Sequence, residues 1–289
     1  MTSPTSEATA STRRRGPRKG AGTLIRAGLD DMFGRRRLTR FLVGADIKRT
    51  HADTLFGQLW WVIDPLLQMA VYVLLVTVIF QRSQPAYPLF VFAAILPWKW
   101  FTTTVSDAIT SVSGQDKLIK QIQFPKIVLP AAATLGGVML FAFGLIPLAG
   151  MLVLMYPDRI HPTLVFIPVV AAVQFVFTLA FGFVLSSLNV FFRDVGNLAR
   201  HVLRLWFYLS PALYGAETVA TVGKHHPTIE RVMKLNPFYT ILESYRNAIY
   251  DGTVPDLRGL AVVLAVSVVF LVVATMFLKR LEPAFAKVL

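Results

Sequence analysis

Lys99 sits among Trp98, Trp100 and Phe101 inside a mostly apolar run over 88–109. An ammonium in that setting suits a phosphate-bearing ligand, and aromatic faces stack on sugar rings, so the cluster fits a glycan path to which Tyr208 would also belong. The same residues have a plainer use. The ammonium would pair with a carboxylate on a neighbouring helix, Asp64 for example, and the aromatics would form an interface belt. Covalent chemistry finds less support. The chain has no cysteine, which excludes disulfides, thiolate zinc sites and cysteine nucleophiles. Asp30-Asp31 has no third aspartate close behind it, no His-x-x-x-Asp occurs, and His51-Ala52-Asp53 is the nearest approach to an acid–base pair. His225-His226 invites a metal, but adjacent side chains diverge and the nearest carboxylate is Glu230, so a solvated loop is expected. No G-x-x-x-x-G-K-[ST] is present; outside the basic N-terminal tail the one Gly-Lys is Gly223-Lys224, followed by histidine. The expectation is no catalytic set, no metal and no cofactor in this chain.

These residues need elements to hold them, and composition says which. Of 289 residues, 55% are hydrophobic and 16% charged, and mean hydropathy is +0.58. A soluble domain carries about 25% charged residues. A net charge of +13 would suit nucleic acid, but twelve of the 29 Lys and Arg precede residue 61, ahead of the first long apolar run. A basic edge on an apolar body is the pattern of an integral membrane protein, and nucleic acid is excluded as a partner. A membrane helix needs about 20 apolar residues. Stretches at about 62–80, 127–156, 163–191 and 260–278 qualify; 88–109 qualifies despite Lys99 and Asp107; 198–214 is weaker, with His201 and Arg204 near its start. The expected fold class is an all-α integral membrane protein of six spans occupying 60–289, since backbone in lipid must satisfy itself. Lys99 then lies roughly 16 Å deep, where lysine costs about 2.5–3.5 kcal/mol if left facing lipid.

With the N-terminus inside, inner segments hold 21 Lys and Arg and outer segments seven. Both ends are therefore expected in the cytoplasm. Residues 1–23, rich in Ser, Thr, Arg, Gly and Pro and without an apolar core, read as a disordered tail and not a cleaved signal. Residues 24–59 are expected to form a cytoplasmic amphipathic gate or interface helix region ahead of the spans. Within them Leu38, Phe41, Leu42 and Ala45 make a helical stripe, with Arg37, Arg40, Lys48 and Arg49 mostly off it. That suits a helix in the inner membrane surface leading to Trp60 and Trp61, as an anchor or as a gate. The outer segment 215–258 holds a second stripe, Phe238, Ile241, Leu242 and Tyr245, opened by Asn236-Pro237 as N-cap and first turn. It is too short to span and is expected at the outer interface or as a re-entrant element.

Five motifs in order carry a family resemblance. Asp46-Ile47-Lys48-Arg49, Leu55-Phe56-Gly57-Gln58-Leu59-Trp60 and Pro65-Leu66 open it. Lys117-Leu118-Ile119-Lys120 then runs into Phe124-Pro125-Lys126 and Leu129-Pro130. Phe192-Arg193-Asp194-Val195, Ser210-Pro211-Ala212-Leu213-Tyr214 and Asn236-Pro237 with Arg246 follow. Over about 40–280 the chain resembles the permease subunit of polysaccharide ABC exporters, the Wzm-type group that moves O-antigen, teichoic acid or mycobacterial galactan. The resemblance implies a homodimer of permeases in the bacterial inner membrane, with two copies of a separate ATPase subunit that carry the ATP and Mg. It implies a glycan cargo on a lipid, usually a polyprenyl pyrophosphate. Gly114, Gln115, Asp116, Lys117, Lys120 and Gln121 would touch the ATPase, near the Arg193-Asp194 turn. Arg40, Lys48 and Arg49 with Trp60 and Trp61 would belong to the gate helix, and Asn236, Pro237, Tyr245 and Arg246 to the outer helix. A drug or simple lipid as cargo, or a membrane-embedded glycosyltransferase, are the competing readings.

Overall fold

Glycine placement decides how closely the central helices approach. The computed structural model describes residues 20–49, 55–79, 81 and 84–289, and no strand occurs among them. The expected tail over 1–19 lies outside the described residues. Five helices are long and apolar enough to cross a membrane: Trp60–Ile79, Tyr87–Ser113, Val128–Leu154, Pro162–Phe191 and Leu257–Phe285. The second of these is the hub. In its apolar window 78% of residues are buried, against 6% in the first. Glycines make this possible. A Cβ at Gly137 would run into the Thr104 side chain, and one at Gly144 into Leu96. These contacts, with Trp100 stacked on Phe141 at 4.6 Å, bring the second and third helices together antiparallel.

Helices are numbered along the chain: α1 Ala21–Gly34, α2 Arg36–Arg49, α3 Trp60–Leu74, α4 Tyr87–Ser113, α5 Asp116–Gln121 and α6 Val128–Leu154. Then come α7 Ile167–Phe191, α8 Val195–Leu209, α9 Ala216–His225, α10 Pro227–Leu235, α11 Pro237–Arg246 and α12 Leu257–Val288. A π-helical turn, Leu75–Ile79, prolongs α3, and a 3₁₀ turn, Pro162–Phe166, leads into α7. Five of the six expected spans coincide with α3, α4, α6, α7 and α12. The sixth, expected at 198–214, is the 15-residue α8 followed by a turn.

Contacts along α4 show how far that piece reaches. Gly196 lies beside Ile109 and Phe207 beside Trp98, so both helices advance eleven residues, about 16 Å, between the same two levels. The turn then carries the chain on, since Tyr87 Oη donates to Leu213 O and Gly215 abuts Phe90. Helix plus turn thus run the length of α4 in two pieces.

The region before the spans differs from expectation. One amphipathic helix was expected between 36 and 59, and residues up to 23 were read as tail. The structure has two helices, the first starting at Ala21. The face of α1 formed by Leu24, Ile25, Gly28, Asp31 and Met32 turns inward, and a Cβ at Gly28 would meet Thr275 of α12. In α2, Leu38 and Leu42 pack on the α6–α12 core while Phe41 is 71% exposed. The stripe therefore docks on the bundle along one edge, because Leu38 and Leu42 find a protein surface there.

One end of the molecule gathers α1, α2, the 114–126 segment, the 192–195 turn and the end of α12. Lys279 Nζ sits 2.5 Å from Asp31 Oδ2 and 2.7 Å from Glu282 Oε2, and Lys126 N donates to Glu282 Oε1 at 2.6 Å. Lys120 Nζ also donates to Leu289 O. This is the basic end.

Candidate functional site

Lys99 is paired. Its Nζ is 2.6 Å from Asp64 Oδ2, with the two side chains 30% and 52% exposed. The pair lies in a pocket of about 260 Å³ between α3, α4 and α6, lined also by Trp60, Trp61, Thr103 and Asp107. Gly136 and Gly137 of α6 complete the lining with Leu140. The described lining brings two carboxylates to one ammonium. Such a pocket offers aromatic faces and hydrogen-bond acceptors, as a polyol requires, and is poorly suited to a phosphate.

The aromatics flanking Lys99 are elsewhere. Trp98, Trp100 and Phe101 are buried, and they present no face to a conduit. Trp98 packs against Phe238 at 4.7 Å, Phe101 against Phe238 at 4.6 Å, and Trp100 against Phe141. Adjacent helical positions point different ways, so sequence adjacency to Lys99 did not bring them to its pocket. Tyr208 remains exposed on α8. Trp61 is buried against Phe143, and Trp60 meets Phe56 edge-on.

The outer helix explains two motifs at once. The Asn236 side chain accepts from Phe238 N at 3.0 Å, the N-cap expected from sequence. Its Oδ1 also accepts from Trp206 Nε1, and its Nδ2 donates to Ser210 Oγ at 2.9 Å. Arg246, 1% exposed, donates to Ala212 O at 2.7 Å and Tyr214 O at 2.9 Å, pairs with Glu243 at 2.7 Å, and covers the Phe90 ring at 4.0 Å. The Ser210–Tyr214 turn interrupts a helix within the bundle, so its carbonyls lack helical donors. Arg246 supplies donors to Ala212 O and Tyr214 O, and Asn236 Nδ2 reaches Leu209 O at 3.5 Å beside its bond to the Ser210 hydroxyl. Tyr245 is fully buried beside Phe141. Phe238 starts at the level of Trp98 and Phe101, and Arg246 ends at Phe90, so α11 is re-entrant. The pair His225-His226 stays on an exposed connection.

At the basic end, Ile119 anchors α5 in a small core with Val112, Phe124, Leu129, Val190 and Phe285. Lys117, Lys120 and Gln121 therefore point outward, while Gly114 and Gln115 make the preceding turn and Asp116 begins the helix. Arg193 and Asp194 are both exposed, and no ion pair joins them. Arg40 and Lys48 are exposed on α2; Arg49 ends that helix.

Sequence reasoning missed Asn189. It donates to Ile109 O at 3.1 Å and Ser113 Oγ at 2.9 Å and accepts from Gly196 N at 3.2 Å, joining α4, α7 and α8 beside the 192–195 turn. An amide near the end of an otherwise apolar run was the available signal.

Residues 37–250 match the family model described as ABC-2 type transporter. The chain is 32% identical to an O-antigen export system permease protein of Myxococcus xanthus, over 89% of this chain and 97% of that one. It is 24% identical to a protein of the same description from Klebsiella pneumoniae, over 86% of this chain and 93% of that one.

Proposed function

The chain belongs to the ABC-2 type transporter family, and from that premise we propose that it is the transmembrane permease of an ATP-driven exporter of a lipid-linked polysaccharide. Similarity to an O-antigen export permease along nearly that protein's whole length carries the proposal. The cargo is a galactan or O-antigen-like glycan, on a polyprenyl pyrophosphate, taken from the cytoplasmic side across the bacterial inner membrane. The permease does no covalent chemistry. Two copies pair, and two ATPase subunits that bind ATP and Mg dock on the basic end. The outward-facing Lys117, Lys120 and Gln121 of α5, beside Arg193 and Asp194, are the docking surface. Helix α2 with Trp60 and Trp61 is the gate, and α11 shapes the exit. Sugars pass the Lys99–Asp64 pocket and Tyr208, polar groups that stay accessible.

Affinity purification of the tagged chain in mild detergent, followed by native mass spectrometry with and without ATP, tests the assembly. A 2:2 complex with a Walker-containing subunit is expected, and depletion of the chain should accumulate a glycan inside the cell. A monomer or homodimer recovered without any ATPase from the whole proteome overturns the reading. A 2:2 complex whose depletion leaves glycans unchanged assigns the exporter to another cargo.

A further inference from the structure

Helix α8 carries two exposed stripes side by side. Leu198, Val202, Leu205 and Leu209 form one, all exposed. Asn197, Arg200, His201, Arg204 and Tyr208 form the other, also exposed and about a third of a turn away. The buried face is separate, made by Ala199, Leu203 and Phe207. No carboxylate lies within ion-pair distance of Arg200, His201 or Arg204 among the described residues. Arg200 bonds only to Asn197 in its own helix.

Depth makes this unusual. By the register with α4, Arg204 stands level with Phe101, near the middle of a 27-residue spanning helix. An unpaired guanidinium facing lipid at that depth is costly. The stripe is therefore expected to face water, an anion or a second protein surface. Lys99 lies at a similar level but is already neutralised by Asp64.

The geometry points to α8 as the binding surface for the phosphate groups of a lipid-borne substrate, with Arg200 and Arg204 on the phosphate oxygens and the leucine stripe on the hydrocarbon chain. Guanidinium forks match phosphate oxygens and stay charged in apolar surroundings. An amphiphile with an anionic head and a long apolar chain is complementary to both stripes together; a free anion would use only one. This rests on the export reading and moves the phosphate contact from Lys99 to α8.

Because the chain has no cysteine, single-cysteine variants report on the surface directly. His201→Cys and Tyr208→Cys, in the full chain in membrane vesicles, would be labelled with anionic and cationic methanethiosulfonates, with SDS-denatured protein giving the total. The anionic reagent should react faster by about tenfold, because an unpaired charge nearby acts with opposite sign on the two. Adding Arg204→Gln, or Arg200→Gln should the first variant fold poorly, should remove that preference. Farnesyl diphosphate should protect both cysteines, and inorganic pyrophosphate and farnesol should protect less. Absence of labelling, equal rates for the two reagents, or disulfide dimers in place of labelling would overturn the proposal; the last would assign the stripe to a second copy. Equal protection by pyrophosphate would assign it to free anions and overturn the lipid assignment. The labelling needs no ATPase, so its failure alongside an intact 2:2 complex condemns the α8 site and leaves the export reading standing.

Discussion

Lys99→Ala strands Asp64, and Asp64→Ala strands Lys99, in a pocket that is only partly open to solvent. Each single change should lower stability by about 1 kcal/mol, discounted for that exposure, and the double change should recover part of it. Thermal unfolding in detergent measures this. Export by the double variant separates the two roles of Lys99: restored export makes the pair structural, and a stable but export-deficient double variant places Lys99 on the cargo path. Arg246 allows no such recovery. Its guanidinium bridges two carbonyls and a carboxylate in full burial. Arg246→Ala should cost about 3–5 kcal/mol, and Arg246→Lys should rescue little, since a point charge cannot hold Ala212 O, Tyr214 O and Glu243 at once. Expression level and unfolding midpoint check this, with loss of both expected.

Between helices, shape decides more than charge. The α4–α6 contact depends on Gly137 accepting the Thr104 side chain. Gly137→Ala should destabilise by about 1–3 kcal/mol through overpacking. Adding Thr104→Ala should recover part of it: the hydroxyl, which has no hydrogen-bond partner, and the methyl are gone, while the Cβ of residue 104 still stands 2.9 Å from the new methyl. A double variant no better than the single would mean that α4 and α6 do not meet as described. This interface was invisible in sequence: Gly137 and Gly144 are two glycines among many in apolar runs, and nothing in their spacing names Thr104 or Leu96 as partners. The long spans were legible because 20-residue apolar runs have few other uses in a chain of this composition. Helix α8 was legible only in part. His201 and Arg204 weakened it as a span, and the structure gives the reason: the exposed polar stripe lies beside a buried face, and the turn held by Asn236 and Arg246 completes the traverse. Helix α1 falls largely within the expected 24–59 helical region but was not legible as a separate helix, because its inward face includes Gly28 and Asp31, residues that contribute no hydrophobic signal but pack and pair with α12.

Across the whole molecule, the basic segments that are scattered in sequence share one end in space. The Lys279 ammonium, 8% exposed between Asp31 and Glu282, ties the first helix to the last, and Lys126 joins the network through Glu282. A chain whose first and last helices meet at one end must traverse the bundle an even number of times. Five uninterrupted helices and one two-piece traverse through α8 and its turn satisfy that condition; five alone would not. The bias of 21 basic residues against seven predicts that this end faces the cytoplasm, because Lys and Arg are retained on that side. The cysteine-free background makes the orientation measurable. Lys120→Cys on α5 and Arg280→Cys on α12 should react with an impermeant maleimide only after cells are permeabilised. Lys224→Cys on α9 and Pro157→Cys after α6 should react in intact cells. The reverse pattern would invert the molecule and remove the basic end as an ATPase dock. Labelling of Lys120→Cys and Arg280→Cys from opposite sides would require the Asp31–Lys279–Glu282 network to be broken in the membrane, and with it the argument for an even number of crossings.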